Sequence, residues 1–410
     1  MAFCDNAAVF ILIFLLTLLL NPCKAFDQVL CIPNERQALL TFKQHLLDPS
    51  NRLASWSSNT NCCNWTSIVC DHVTGHILRL DLKTSIPSSN WNSEYDSYDR
   101  SRLGGEIHLS ILDLKSLSYL DLSGNYFEGD FPLCLKNSNK LVFLDFRENQ
   151  FSRIIPPWVG DTLLNLKVFL LTSNKFSGKI PCQMYSLSSL HILDLAQNNL
   201  TGPLPKCINH LSFMVVKNTT LESNMYGEGN GAIVPITNAL LELKGRDDVY
   251  WTLGLITSID LSNNKLFGEI PREITTLKGL HFLNLSNNLL SGEIPQSIGN
   301  MGSLESMDLS KNQLYGEIPL SMSNLNFLSK LNLSFNNLRG KIPMGTQLQS
   351  FEASCFVGND LCGPPLPNNC TDLYSPLNHD KNDKEAKRNE INWFFCEHVI
   401  GICFRILGNN

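Results

Sequence analysis

The sequence predicts an α/β solenoid, and three features of the chain point to it. Residues 255–343 repeat one pattern four times: IDLSNNKLFGEIP, FLNLSNNLLSGEIP, SMDLSKNQLYGEIP and KLNLSFNNLRGKIP. The asparagines Asn264, Asn288, Asn312 and Asn336 are spaced by 24 residues. Cysteine clusters lie at both ends of the repeats. A fixed period of this length is typical of stacked coils, and L-x-x-L-x-L-x-x-N is the leucine-rich form of the pattern.

Each letter of the repeat has a physical role. Leu283 and Leu285 alternate around Asn284, so the two leucines share one face of a short strand, which we assign to the interior. The outward residues then belong to a parallel sheet built from neighbouring coils. A buried asparagine such as Asn288 offers two donors and an acceptor to the backbone of stacked coils. Pro295 cannot donate a hydrogen bond, which suits the side of the coil away from the strands.

Earlier repeats extend the array towards the N-terminus. The first coil runs from Ile77 to Leu82, and regular coils resume at Leu117, with Asn125, Asn149, Asn174 and Asn198 at spacings of 24, 25 and 24. The polar stretch 83–101 is predicted to be a loop. The first block of repeats therefore covers residues 77–206, and a second block of four covers 252–345.

An insert separates the two blocks. The step from Asn198 to Asn264 is 66 residues, one period plus 42, which predicts an island over residues 207–251. Its G-x-G-x-G run is not a nucleotide site, because no strand–helix unit surrounds it. Long insertions in repeat proteins often bind partners, and Tyr226, Tyr250 and Trp251 are suitable contact residues. A merely tolerated loop is the alternative.

The repeats need a cap at each end, because an open coil exposes its apolar face. Residues 26–76 form the N-terminal cap, with a helix predicted over Asn34 to Leu47. Its four cysteines, Cys31, Cys62, Cys63 and Cys70, allow three pairings. We favour Cys31–Cys62 with Cys63–Cys70, because adjacent cysteines do not easily pair. Residues 346–375 form the C-terminal cap, bracketed by Cys362 and Cys370.

The outer segments indicate a secreted protein. Residues 1–25 read as a signal peptide, with an apolar run from Val9 to Leu20 and small residues before the cleavage position after Ala25. Residues 376–392 form a charged linker. Residues 393–410 form an apolar tail that carries Glu397, His398 and Arg405, and we expect it to be too short and too charged to span a bilayer.

Composition and motifs exclude several classes of function. Charged residues make up 17% of the chain and its net charge is −6, which argues against nucleic-acid binding. No catalytic motif, metal-ligand spacing or cofactor motif is present, so we predict a binding protein without enzyme activity, metal or cofactor. Six N-x-S/T sequons predict glycans at Asn64, Asn199, Asn218, Asn284, Asn332 and Asn369.

The outward strand residues are the candidate binding surface, which we expect to be the concave face. The alternative is that these residues are a solvated surface without a binding role. Phe143, Ile192 and Phe282 favour a binding surface, because they would be apolar groups placed towards water. The predicted contact residues, together with those of the island, are Tyr119, Phe143, Arg147, Lys167, His191, Tyr226, Tyr250, Trp251, His281, Phe282, Glu305 and Lys330. Asp121, Asp145, Asp194 and Asp308 lie on the same face.

The cap sequence ALLTFKQHLLDPSNRLASWSSNTNCCNWTSIVCDHVTGHILRLDL, the G-x-I-P repeats, the island ending KGRDDVYWTLGLITSIDLSNN and the stretch FVGNDLCGPPLPNNC carry a family resemblance. Over residues 1–370 the chain resembles plant leucine-rich-repeat receptor-like proteins, the class of the leaf-mould resistance and ethylene-inducing xylanase receptors. The resemblance implies a plant-type leucine-rich-repeat superhelix. The sequence differs from the usual pattern of this family in two ways: its array has only about nine coils, and no stretch of it resembles the family's membrane span.

The resemblance also implies a function. Such proteins are single-pass cell-surface receptors in defence or development. They bind a protein or peptide ligand and signal through adaptor and co-receptor receptor kinases. Two alternatives stay open at this point: a secreted inhibitor of cell-wall hydrolases, similar to polygalacturonase-inhibiting proteins, and a truncated decoy product.

Overall fold

A computed structural model describes residues 30–84, 91–216, 239–243, 246–250 and 256–370. Two long sheets dominate these ranges, and we call them the front sheet and the back sheet. The front sheet is parallel apart from its first strand, which pairs antiparallel to the second. Its strands are Ile68–Cys70, Ile77–Asp81, Tyr119–Asp121, Phe143–Asp145, Val168–Leu170, Ile192–Asp194, Ser258–Asp260, Phe282–Asn284, Ser306–Asp308 and Lys330–Asn332.

The back sheet runs along the other side of the coils. Its strands are Gly104–Glu106, Tyr126–Gly129, Gln150–Ile154, Lys175–Gly178, Asn199–Gly202, Lys265–Glu269, Leu289–Gly292, Gln313–Gly316, Asn337–Lys341 and Asp360–Cys362. A separate antiparallel hairpin pairs Ala239–Leu243 with Arg246–Tyr250. The predicted α/β solenoid of the leucine-rich-repeat type is therefore confirmed.

Helices complete the coils and the caps. The α-helices are Pro33–Gln44, Trp91–Ser101, Trp158–Thr162, Ser212–Val215 and Thr346–Gln349. The short 3₁₀ helices are Cys62–Asn64, Leu109–Asp113, Leu133–Asn137, Cys182–Ser186, Lys206–His210, Arg272–Thr276, Ile298–Asn300, Leu320–Asn324 and Ala353–Cys355. Within the described ranges, every helix falls short of the length and apolar character needed to cross a bilayer.

The asparagine ladder holds the coils together. Asn288 is buried; its Oδ1 accepts a hydrogen bond from the Leu266 N–H at 3.0 Å, and its Nδ2 donates to the Leu261 carbonyl at 3.0 Å. The same Nδ2 also donates within its own coil to the Leu285 carbonyl. Backbone groups that would otherwise be buried without partners are thus satisfied once per coil, which is the role expected of this residue.

The array is continuous across the insert. Ile192–Asp194 pairs directly with Ser258–Asp260, in the same register as any other two coils. Asn264 bridges the junction, because it accepts from the Leu200 N–H at 3.0 Å and donates to the Leu195 carbonyl at 2.9 Å. The insert therefore leaves and re-enters the array without opening either sheet.

The insert begins later than residue 207. Cys207 is bonded to Cys182 of the preceding coil, and Ile208, Leu211 and Met214 are fully buried. The Met214 carbonyl accepts a hydrogen bond from the Gly279 N–H at 2.9 Å. Residues 207–216 therefore belong to the array, and the sequence boundary was drawn too early because the coil motif had already ended. Most of the island, 217–238 and 251–255, lies outside the described residues.

A second segment differs from expectation. The stretch 83–101, predicted to be a loop, contains the helix Trp91–Ser101, in which the Arg100 Nε donates to the Asp96 carbonyl one turn earlier. Tyr98 is buried, and the Arg102 guanidinium lies 5.7 Å from the centroid of its ring. Side-chain packing onto the first coils thus stabilises a helix that the polar sequence does not suggest. The predicted N-terminal helix is present as Pro33–Gln44.

The C-terminal cap contains one more rung of the ladder. Asn359 accepts from the Leu338 N–H at 3.0 Å and donates to the Leu333 carbonyl at 2.9 Å. The strand Asp360–Cys362 then extends the back sheet from Asn337–Lys341. The cap is therefore built partly as a further coil. The predicted signal peptide 1–25, linker 376–392 and tail 393–410 lie outside the described residues.

Candidate binding face

The outward side of the front sheet carries two rows of aligned side chains. The strand register places equivalent residues next to each other, about 4.8 Å apart. The first row is Arg79, Tyr119, Phe143, Val168, Ile192, Ser258, Phe282, Ser306 and Lys330. The second row is Asp81, Asp121, Asp145, Leu170, Asp194, Asp260, Asn284, Asp308 and Asn332.

From Tyr119 to Ile192 the first row is apolar and buried. Tyr119 and Phe143 stack with ring centroids 4.2 Å apart, and the Arg79 guanidinium lies 4.0 Å above the Tyr119 ring. Phe143 and Ile192 are each 1% exposed, and Phe282 of the second block is 7% exposed. The expectation that these groups face water was wrong: they form a second apolar cluster outside the solenoid core, joined by Val168 and Leu170.

The second row concentrates carboxyl groups. The Oδ1 atom of Asp121 accepts from the Ser123 N–H at 3.0 Å, and its Oδ2 accepts from the Tyr119 hydroxyl. Burial raises the pKa of Asp121 to about 7, and the neighbouring Asp145 and Asp81 add to the shift. At the junction of the blocks, burial and Asp194 raise the pKa of Asp260 to about 8.

Arg147 balances part of this charge. Its Nε donates to both oxygens of Asp145 at 3.0 Å, and its Nη2 donates to Oδ2 at 2.7 Å. Burial disfavours the cation, but Asp145 raises the pKa of Arg147 above its usual range. Arg147 is therefore a fixed, fully charged partner of the row. Its predicted role in ligand contact has to compete with this pairing.

The histidines differ from expectation in one case. His191, a predicted contact residue of the outward face, is 5% exposed and stacks on Phe213 with ring centroids 3.7 Å apart. Burial lowers the pKa of His191 to about 4. His281 is half-buried and hydrogen-bonded to the Thr257 hydroxyl at 2.7 Å. Burial lowers the pKa of His281 as well, so both rings favour the neutral form.

The second block leaves its rows more open. Its second row, Lys330 of the first row, and His281 and Glu305 just before two of the strands are partly exposed. Carboxyl and amide groups alternate in its second row, and each amide binds the carboxyl group before it. The Asn284 Nδ2 donates to the Asp260 Oδ2 at 2.9 Å, and the Asn332 Nδ2 donates to the Asp308 Oδ2 at 3.2 Å. This half of the face can therefore offer both charges and amide groups to a ligand.

Of the remaining predicted contact residues, the structure describes the side chain of Lys167 but not those of the island. Lys167 is partly exposed, and burial lowers its pKa. Tyr226, Trp251 and the side chain of Tyr250 lie outside the described residues. The sequon asparagines Asn64, Asn199 and Asn369 are exposed. Asn284 and Asn332 lie in the second row of the front face, and Asn218 is outside the described residues.

The cysteines form bonds within the caps and one within the array. The structure joins Cys31 to Cys62 and Cys63 to Cys70, the pairings favoured above, and joins Cys362 to Cys370 in the C-terminal cap. A further bond, Cys182–Cys207, links two successive coils and had no sequence signal beyond its 25-residue separation. Cys134 and Cys355 are free thiols. The sulfur atoms of Cys31, Cys62 and Cys63 lie within 4.8 Å of one another, but their disulfides account for that proximity without a metal.

Arg52 is a structural residue that sequence reasoning missed. Its guanidinium donates to the Leu82 and Lys83 carbonyls at 3.2 and 2.8 Å. It also donates to the Asn125 Oδ1 at 3.3 Å. The side chain thus closes the N-terminal end of the ladder, where no earlier coil supplies a rung. Nothing in the cap sequence distinguishes this arginine from a surface residue.

Comparison with known proteins places these features in context. The family described as leucine rich repeat N-terminal domain matches residues 32–71, and leucine rich repeat families match residues 116–138, 189–211, 255–314 and 327–347. Receptor-like protein EIX1 of Solanum lycopersicum is 36% identical over 297 residues, which cover 63% of this chain and 26% of that protein. Phytosulfokine receptor 1 of Arabidopsis thaliana is 34% identical over 190 residues, 44% of this chain and 19% of that receptor.

Two solved structures share the fold. A plant ice-binding protein superposes with a TM-score of 0.60 at 25% identity, covering 83% of this chain and 99% of that chain. The ectodomain of the receptor kinase GASSHO1/SCHENGEN3 from Arabidopsis thaliana, in complex with CASPARIAN STRIP INTEGRITY FACTOR 2, superposes with a TM-score of 0.59 at 27% identity. That match covers 79% of this chain and 33% of the ectodomain. The chain thus spans about a quarter or less of the length of these curated receptors.

Proposed function

We propose that this chain, a leucine-rich-repeat protein related to the plant receptor-like proteins, is the ligand-binding part of an extracellular receptor. The related GASSHO1/SCHENGEN3 ectodomain is in complex with CASPARIAN STRIP INTEGRITY FACTOR 2. By this analogy the ligand here is a protein or peptide. By resemblance to the receptor-like proteins, we propose that signalling runs through partner receptor kinases.

The observation that carries the proposal is the contrast along the front face. Both rows are buried on the first-block strands Tyr119–Asp121, Phe143–Asp145 and Val168–Leu170, whereas the second block leaves its whole second row and Lys330 partly exposed, next to His281 and Glu305. Peptide recognition needs charged and hydrogen-bonding groups on a rigid support, and the strand ladder supplies that support. We therefore assign ligand contact to the second block of the front face.

The insert joins the array at residues 216 and 256. Its last neighbour in the array, Ile256, packs against the apolar cluster of the front face, and its first neighbour, Val216, is exposed. We propose that the insert contributes to the same binding surface, as long insertions in repeat proteins often do. The predicted contact residues Tyr226, Tyr250 and Trp251 are part of this proposal.

A display experiment tests the front-face assignment. A phage library of random 12-residue peptides is selected on the full chain, and enriched clones are measured against a charge-reversal variant, Glu305→Lys with Lys330→Glu. The matched control reverses an exposed pair on the back sheet of the first block, Glu128→Lys with Lys175→Glu. We expect the front-face reversal to weaken binding by about tenfold or more and the control to bind normally, since a desolvated charge pair is worth a few kcal/mol. Equal binding to both variants would refute the assignment.

A deletion tests the insert. Residues 217–255 are replaced by a short Gly/Ser linker, which retains Phe213 and Met214 in the array. Thermal unfolding checks that the array stays folded, which we expect because Asn264 still joins the coils on both sides. Selected clones should then lose affinity. Parallel inhibition assays on cell-wall hydrolases address the alternative of a secreted inhibitor, which would keep its inhibitory activity without the insert.

A further inference from the structure

The back sheet of the second block presents large apolar side chains to solvent. Phe267, Leu289 and Tyr315 are 50, 47 and 51% exposed. Phe267 and Leu289 are direct neighbours in the strand register, and Tyr315 lies on the next strand. The first block has polar residues at the corresponding strand positions, among them Ser152, Ser177 and Thr201. On the described strands of the first-block back sheet one large apolar side chain, Ile154, is 57% exposed, whereas the second block groups three, and such a group calls for an explanation.

A column of three carboxylates borders these residues. Glu269, Glu293 and Glu317 follow the strands of successive coils and are all exposed. In the described part of the chain none of the three forms an ion pair. Like charges on neighbouring strands repel, so this column stores an unfavourable interaction that a cation would relieve. The column ends at Lys341, on the last coil of the block.

The glutamates are held in place by the glycines beside them. A Cβ on Gly292 would lie 2.8 Å from the Cγ of Glu269, and a Cβ on Gly316 would lie 2.9 Å from the Cγ of Glu293. Each glutamate stem thus occupies space left free by the glycine of the next coil. This packing limits the freedom of the stems, so the carboxylates form a regular column rather than a set of independent surface charges.

From these observations we propose that the outer back sheet of the second block is a docking surface for a basic, amphipathic segment of a partner protein. Its apolar residues pack on Phe267, Leu289 and Tyr315, and its lysines or arginines face the glutamate column. Charge complementarity selects this occupant over a second copy of the chain, because two copies would bring the same carboxylates together. The surface is separate from the front face, so this inference does not depend on the proposed ligand-binding role.

Binding of a defined probe tests the inference. The probe is a fluorescent 14-residue peptide of alternating Lys and Leu, and its acidic counterpart has Glu in place of Lys. Fluorescence anisotropy with the full chain measures binding of each peptide at low and high salt. We expect the basic peptide to bind, with an affinity that falls as salt rises, and the acidic peptide not to bind.

Variants then separate the two contributions. Phe267→Ser with Tyr315→Ser should weaken binding about tenfold, since aromatic anchors dominate such contacts. Replacing Glu269, Glu293 and Glu317 by Gln should remove most of the salt dependence. Glu128→Gln, at an exposed glutamate of the first-block back sheet, is the matched control and should leave binding unchanged.

Three results would overturn the inference. The first is unchanged binding of the basic peptide by the serine and glutamine variants when thermal unfolding shows them folded. The second is equal binding of the acidic peptide. The third is a concentration-dependent dimer in sedimentation experiments that Phe267→Ser abolishes, because the surface would then be a contact between copies of this chain.

Discussion

The first and second blocks of the array share one ladder but differ in what surrounds it. The first block has an aromatic interior, with Phe127, Phe146, Phe151 and Phe176 fully buried, and both front rows are buried from the strand Tyr119–Asp121 to the strand Val168–Leu170. The second block has an aliphatic interior, an open front face and exposed aromatic residues on its back sheet. The same coil geometry therefore supports either a sealed, rigid segment or a segment with two accessible faces. The choice depends on a few positions per repeat.

Removing an aromatic ring from the first block should have the largest effect. Phe151 is fully buried, and its ring centroid lies 4.7 Å from that of Phe146 and 6.2 Å from that of Phe176. Phe151→Ala should lower the free energy of unfolding by about 3–5 kcal/mol. Leu290→Ala, at the equivalent position of the second block, should cost less, because it breaks no aromatic stack. Urea titrations of both variants measure the difference, and equal costs would show that the aromatic interior adds no stability.

The carboxyl row predicts a pH dependence, and Asp121 is its contributor in the first block. The pKa of Asp121 is raised from 3.8 to about 7, so the folded state favours the protonated carboxyl. Stability from this group is fully present below about pH 4 and is lost as pH rises through 7. Asp121→Asn should remove this decline in the free energy of unfolding. The expected difference between pH 4.5 and 8 is on the order of 2–4 kcal/mol, since each pKa unit corresponds to about 1.4 kcal/mol.

Unfolding at the two pH values tests this expectation. Asp308→Asn removes a carboxyl group from the same row in the second block and is the comparison variant. If both substitutions flatten the profile equally, the effect does not belong to the first block. If neither does, the carboxyl row does not control the acid stability of the fold.

The junction between the blocks can be compared with an ordinary junction. Asn264 and Asn288 make equivalent hydrogen bonds, to Leu195 and Leu200 in one case and to Leu261 and Leu266 in the other. Each change to Ala leaves buried backbone groups without partners and should cost about 1–3 kcal/mol. Chemical denaturation under non-reducing conditions measures both. A negligible cost for Asn264→Ala would mean that the blocks are joined more loosely than two adjacent coils.

The smallest expected effect comes from making the second block resemble the first. Asn284→Asp removes the donor to Asp260 and makes four carboxyl groups in succession, from Asp194 to Asp308. We expect a loss of about 0.5–1.5 kcal/mol, larger at pH 8 than at pH 5, because charged neighbours repel. Asn332→Asp, at the end of the row, has one such neighbour and should lose less. Preparations made in a host that adds no glycans keep the sequons from confounding the comparison.

Much of the fold could be read from the repeat because each coil is specified locally. The period identified the front strands, the ladder asparagines and the position of the insert. It missed Asn359 because this rung follows a step of 23 residues through a different sequence, FVGND. It missed the helix Trp91–Ser101 because side-chain packing on neighbouring coils, rather than the pattern of the segment, stabilises it.

The candidate site was less predictable than the fold. Alternation along a strand shows that Phe143 and Ile192 point outward, but not whether other groups cover them. Both are 1% exposed, and their burial depends on residues from several coils. The pairing of Arg147 with Asp145 likewise joins positions that the sequence shows only as separate charges. Exposure and charge pairing are properties of the assembled array, so a single repeat does not encode them.

The direct pairing of Asp194 with Asp260 across the insert has a consequence for how such chains can change in length. The array has translational symmetry along its axis: shifting by one coil brings each rung onto an equivalent rung. Whole coils can then be gained or lost in steps of about 24 residues without disturbing distant contacts, since each coil touches only its neighbours. A loop can also be inserted between two coils, because the coils on either side of it still pair directly with each other. Recombination within such genes can therefore shorten or lengthen the protein while every remaining coil keeps its fold.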